Sequence, residues 1–180
     1  MTQHEYVFVA ISIILGLAIT RLLHTMGMLI RAHRDVSFHW STALWAVCVL
    51  SYALQFWWVG WGLREISDWS FPDFAVLTAG AICVYGAAEM ALPVPEGGGE
   101  LNFLEHSQGL GRLSALSLLL YFGIGPYVNI TMFGNKMLPS LGVPAAGALL
   151  MLLIIAAPRT FKAAAVVFAV YTAAILSVTA

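Results

Sequence analysis

The chain has 180 residues, of which 61% are hydrophobic and 9% charged, and its formal net charge is −1. A soluble domain carries roughly 25% charged residues, and a soluble chain of this composition would leave more apolar surface against water than folded proteins tolerate. Near-neutral charge also provides no basic face for nucleic acid and no acidic tail for basic partners, so lipid is the expected surrounding.

Six apolar stretches follow one another at about 6–30, 40–63, 72–94, 110–133, 138–157 and 160–179, each near the ~20 residues a helix needs to cross hydrocarbon. The predicted fold is all-α: a polytopic transmembrane bundle of six helices arranged as three hairpins, forming a single transmembrane domain over 1–180. The first stretch follows Met-Thr-Gln-His-Glu-Tyr, which has no positive charge, and it is too long for the core of a signal peptide, so it is expected to be retained. It carries Arg21 and His24. A short polar loop, Ala32 to His39, leads to the second stretch, which places Gln55 beside Phe56-Trp57-Trp58. The third enters through Phe71-Pro72-Asp73, with Pro in the tolerated first turn, and carries Glu89. Cys48 and Cys83 fall inside spans without metal spacing or a disulfide framework and read as packing thiols.

The one long connection runs from Pro95 through Glu96-Gly97-Gly98-Gly99-Glu100 to Gln108. It begins as a Gly-rich linker, continues as a short interfacial helix over Leu101 to His106, and is the expected moving or partner-binding loop. The fourth stretch contains Gly123-Ile124-Gly125-Pro126, which removes a helical donor and bends the helix, with Asn129 and Thr131 near enough to satisfy freed carbonyls. Asn129-Ile130-Thr131 matches the glycosylation sequon but lies in a span and is discounted. A second break, Gly142-Val143-Pro144, stands at similar depth in the fifth stretch. Two kinks at one level open a shared outer vestibule, unless they are merely the Gly and Pro kinks that membrane helices tolerate. The fifth and sixth stretches are nearly free of polar side chains, and Ala163, Ala164, Ala173 and Ala174 suit helix–helix or subunit contact.

Orientation follows the Lys and Arg residues beside the spans. With the N-terminus outside, the inner loops carry Arg31, Arg34, Arg112, Arg159 and Lys162, and the outer loops only Arg64 and Lys136. Six crossings return the C-terminus to the outer face. On this frame Arg21 lies about 22 Å and Glu89 about 25 Å along their helices, at 1.5 Å per residue. Matched depth makes them a candidate charged pair, with His24 one turn away on the same helix face; snorkelling of both to the headgroups is the alternative. His24 is the sole intramembrane histidine, so the chain cannot build a bis-histidine haem site, whereas a pigment ligand or a hydrogen bond to a quinone oxygen stays open. No metal site and no enzyme motif stand out.

The run Gly16-Leu-Ala-Ile-Thr-Arg21-Leu-Leu, the Gln55-Phe-Trp-Trp58 run and the stretch from Leu104 to Phe122 resemble a group of small bacterial six-helix membrane proteins of unknown function. The resemblance covers nearly the whole chain, although the inner loop has fewer Arg and Tyr residues than that group. It implies a bacterial cytoplasmic (inner) membrane location and carries no activity. The resulting reading is a non-enzymatic accessory or scaffold subunit whose partners are other membrane subunits or further copies of itself, with no cofactor. Its rivals are a small transporter or channel built on Arg21, Glu89 and His24, and a pigment- or quinone-binding subunit. The polar residues Gln55 and Asn129 and the kinks at Pro126 and Pro144 complete the candidate positions.

Overall fold

The computed structural model describes residues 2–66, 68–95 and 101–179. Ser67 and the Gly-rich run Glu96 to Glu100 therefore lie outside the described residues. Among the described residues six helices are long and apolar enough to cross a membrane, which is compatible with a multi-pass membrane protein, and the fold is an all-α bundle. In chain order the elements are α1 (Gln3–Arg31), β1 (Val36–Ser37), α2 (Trp40–Gly62), α3 (Phe71–Glu89), β2 (Leu101–Asn102), α4 (Phe103–Gln108), α5 (Arg112–Tyr127), α6 (Met137–Ala156) and α7 (Phe161–Thr179). The loops joining α1 to α2, α3 to α5 and α6 to α7 share one side of the bundle, the hairpin face. Both chain ends belong to the other, the terminal face.

Local sequence sets the helix ends. Thr2 accepts from the Glu5 amide while the Glu5 carboxylate accepts from the Thr2 amide, and Ser70 and Asp73 form the same reciprocal cap on α3 ahead of Pro72. The expected third span, 72–94, is a helix only as far as Glu89. Pro93 has no amide hydrogen and keeps Leu92 out of the helical region, so the chain leaves the helix and packs Ala91, Leu92 and Pro93 into the hairpin face as irregular backbone. The expected fourth span also changes character. After Pro126 it continues as a π-helical turn, Val128–Met132, in which the Phe133 amide donates to Val128 O at 3.1 Å. The π turn pairs its own backbone groups through bonds one residue longer than those of an α-helix.

The packing order closes a ring: α1 lies against α3, α3 against α5, α5 against α6, α6 against α7, α7 against α2, and α2 against α1, with α2 also touching α3. Close approach depends on small residues. A Cβ on Gly147 of α6 would stand 2.7 Å from the Phe122 ring of α5, and one on Gly80 of α3 would stand 3.1 Å from Phe56 of α2. Buried side chains divide into two clusters. One, toward the terminal face, joins α1, α2 and α3 through Val7, Ile11, Leu15, Phe56 and Leu77. The larger reaches the hairpin face around Trp45, Tyr52, Phe122, Phe161 and Phe168. Ala164, expected on a contact surface, is buried in this second cluster, because the face of α7 that holds it also carries Phe161 and Phe168; Ala163, Ala173 and Ala174 remain exposed.

Candidate functional site

Three polar features lie in or beside the spans, and they occupy different parts of the ring. The first joins α1 to α3. Both helices start at the terminal face and run in parallel, and Arg21 Nη2 lies 2.7 Å from Glu89 Oε1. Glu89 is the last residue of α3, where the partial negative charge of the helix end disfavours a carboxylate, so the guanidinium offsets two penalties at once. The side chains stay 30% and 28% exposed, so the pair borders the surroundings instead of being sealed in the core. Arg21 Nε is buried with no acceptor among the described residues. His24, one turn on, is exposed and joins neither partner among the described contacts. The structure thus brings Arg21 and Glu89 together and leaves His24 aside.

The second feature seals the hairpin face, and no sequence motif points to it. Trp45 Nε1 donates to Ser114 Oγ at 2.9 Å, and Ser114 Oγ donates to Ala87 O at 2.7 Å, so one buried chain ties α2, α5 and α3. Beside it, Thr42 Oγ1 donates to Phe103 O at 2.9 Å and lies 2.7 Å from Ser107 Oγ, which fastens α4 to α2. The short helix expected over Leu101 to His106 forms two residues later, as α4, because Asn102 caps the Leu104 and Glu105 amides and leaves Leu101 and Asn102 to β2. Parallel pairing of β1 with β2 joins the two loops of this face at Val36 with Leu101. His106 Nε2 donates to Met90 O at 3.1 Å, and burial holds its pKa below the usual histidine value. The described half of the long connection is therefore pinned to the bundle.

The third feature is a chamber of about 630 Å³ between α2, α5, α6 and α7, toward the terminal face. Both proline-bearing helices contribute to its wall: Gly125, next to Pro126, and Pro144 are in near contact, since a Cβ on Gly125 would stand 3.1 Å from Pro144 Cγ, and both α5 and α6 stay helical through their prolines. Gln55 and Asn129 line it with Asn135, Lys136 and Ser140, and aromatic rings floor it. Tyr52 stacks on Phe168 at 5.6 Å and meets the edge of Phe122 at 5.5 Å, while Tyr171 OH donates to Val143 O at 2.8 Å. The Tyr52 hydroxyl is buried without a partner among the described residues. Gln55 also borders a more open apolar groove of about 780 Å³ with Phe8, Trp57, Trp58, Trp61 and Leu176. Among the described residues no three His, Cys, Asp or Glu side chains come together as a metal site would need.

Sequence reasoning named Gln55 and Asn129, which prove to be polar liners of the chamber, and the prolines Pro126 and Pro144 beside or in its wall, but it missed Lys136 and Tyr52 as liners and the Trp45–Ser114 chain. A serine or threonine on an otherwise apolar helical face was the available signal for Thr42 and Ser114; nothing local could have marked which helix each one meets. Comparison with protein-family models, with curated proteins and with solved structures gives no match to this chain.

Proposed function

We propose that this chain is a non-enzymatic accessory or scaffold subunit of a membrane assembly or a homo-oligomer, working by association in the plane of the bilayer. One observation carries the reading: the intramembrane charges and the chamber are separate. Arg21, His24 and Glu89 stand on α1 and α3, and none of them lines the chamber between α2, α5, α6 and α7. A carrier that used these charges would need them where its solute sits. As placed, the ion pair fastens two parallel helices, which is what a rigid scaffold requires. Helices α6 and α7 turn Leu149, Leu152, Val167 and Val170 outward and have no charged side chain in their central turns, as suits contact with another membrane chain.

The compartment proposed is the bacterial cytoplasmic membrane with both termini outside, supported by the resemblance to small bacterial six-helix proteins and by the excess of Lys and Arg on the hairpin face. Extraction in mild detergent followed by native mass measurement tests the association. An oligomer or a co-purifying subunit is expected, and Ala173→Phe, on the exposed side of α7, should weaken it without reducing insertion. A lone monomer under every mild condition would refute the reading. Solute flux in liposomes would move the assignment to a transporter, and a visible absorption band or an extracted quinone to a pigment- or quinone-binding subunit.

A further inference from the structure

The chamber has a chemistry that the association reading does not use. We propose that it holds an anionic glycerophospholipid of the bilayer, with one acyl chain inside and the phosphate at Lys136. Among the chamber's described liners Lys136 is the only charged residue, and it stands at its terminal-face end as the N-cap position of α6. No side chain caps that helix, so the first amides of α6 add partial positive charge at the same place. Asn135 and Asn129 bring amide donors to the same mouth. Behind this polar rim the wall turns apolar and aromatic, through Val143 and Pro144 to Phe122 and Tyr171. Pro144 lies eight residues beyond Lys136, about 12 Å deeper at 1.5 Å per residue.

A cationic rim at the start of α6, with an apolar wall further along the same helix, matches a lipid's own order of phosphate above acyl chain. The volume also falls within the ~300–1,000 Å³ of small-molecule sites. A zwitterionic headgroup carries an ammonium that Lys136 repels, so the site discriminates by headgroup charge. One lysine near the membrane surface corresponds to a preference of about fivefold. This inference does not depend on association, and a monomer would satisfy it equally.

The test uses the full chain in vesicles containing equal amounts of phosphatidylglycerol and phosphatidylethanolamine with identical acyl chains. After extraction in mild detergent, native mass spectrometry should find phosphatidylglycerol enriched about fivefold among retained lipids, and Lys136→Gln should abolish the enrichment. Phosphatidylglycerol with a photoactivatable acyl chain should label peptides containing Phe122 and Tyr171, and Val143→Trp should remove that label by filling the shaft. Equal retention of the two lipids, enrichment that survives Lys136→Gln, or label placed on α1 and α3 would each overturn the proposal. So would stronger labelling by a photoactivatable free fatty acid, because the occupant would then not be a phospholipid. Should Val143→Trp fail to fold, the labelling map of the unaltered chain decides alone.

Discussion

At the scale of single residues three ionisable positions are worth changing, the paired Arg21 and Glu89 and the docked His106. Arg21→Leu or Glu89→Leu leaves one charge in the membrane without its counter-ion, a cost of about 2.5–3.5 kcal/mol. Replacing both removes the orphan, so the double variant should be more stable than either single one, with a coupling of roughly 1–3 kcal/mol. Thermal unfolding of the four proteins in one detergent measures this; additive losses would mean that the side chains do not act on each other. His106 is held neutral, because burial lowers its pKa while its bond to Met90 O only partly compensates. With the folded value below the unfolded value of ~6.5, the unfolded or undocked state binds the proton more readily. Docking of α4 is then at full strength above the ordinary histidine value and weakens as pH falls from there through the depressed one. Hydrogen exchange of the 103–108 amides, corrected for intrinsic rates, should accelerate relative to the rest of the bundle on going from neutral to mildly acidic pH. His106→Gln should remove that dependence.

At the scale of elements, packing between α5 and α6 is decided by which glycines face a neighbour. Gly147 meets the Phe122 ring, which is wedged among Tyr52, Phe168 and Tyr171 and has little room to move. Gly142, on the same helix, has nothing within 4 Å of the position its Cβ would take. Gly147→Ala should therefore destabilise the bundle by about 1–3 kcal/mol through overpacking, whereas Gly142→Ala should be neutral or gain about 0.5–1 kcal/mol from helix propensity. Melting temperatures in detergent separate the two, and equal shifts would contradict the ring order of α5 and α6. Both glycines look alike in sequence, and this marks the limit of what the sequence reveals. The six apolar lengths and the start of α3 at Phe71-Pro72-Asp73 are legible, because proline and apolar length act within a few residues. The early end of α3 was within reach as well, since Pro93 is a local signal that the apolar run concealed. Partner choice is not legible: Ser114 reads as any small polar residue until the fold sets it between Trp45 and Ala87 O.

At the scale of the whole molecule the two faces differ in kind, and the difference predicts how the bundle sits in its membrane. The hairpin face joins its loops through β1 and β2, docks α4, and gathers Arg31, Arg34, Arg112, Arg159 and Lys162. The terminal face has short connections, Arg64 stacked 4.4 Å over Trp61, Lys136, and exposed aromatic residues at Trp58, Trp61 and Phe71. Cytoplasmic loops accumulate Lys and Arg because such loops resist translocation, so the hairpin face should be cytoplasmic and both ends of the described chain should lie outside. Reporter fusions give an unambiguous reading: a reporter active only outside should work at Ala180, and one active only in the cytoplasm should work after Arg34 and after Gln108. Moving the charge bias should move the protein. Arg31→Gln, Arg34→Gln, Arg112→Gln, Arg159→Gln and Lys162→Gln, combined with Lys residues added beside Arg64 and Lys136, should populate the inverted orientation. A C-terminal reporter active only in the cytoplasm of the unaltered protein, with the Arg34 and Gln108 reporters cytoplasmic as well, would instead require an odd number of crossings, and one of the six apolar helices would then have to lie in the bundle without spanning the bilayer.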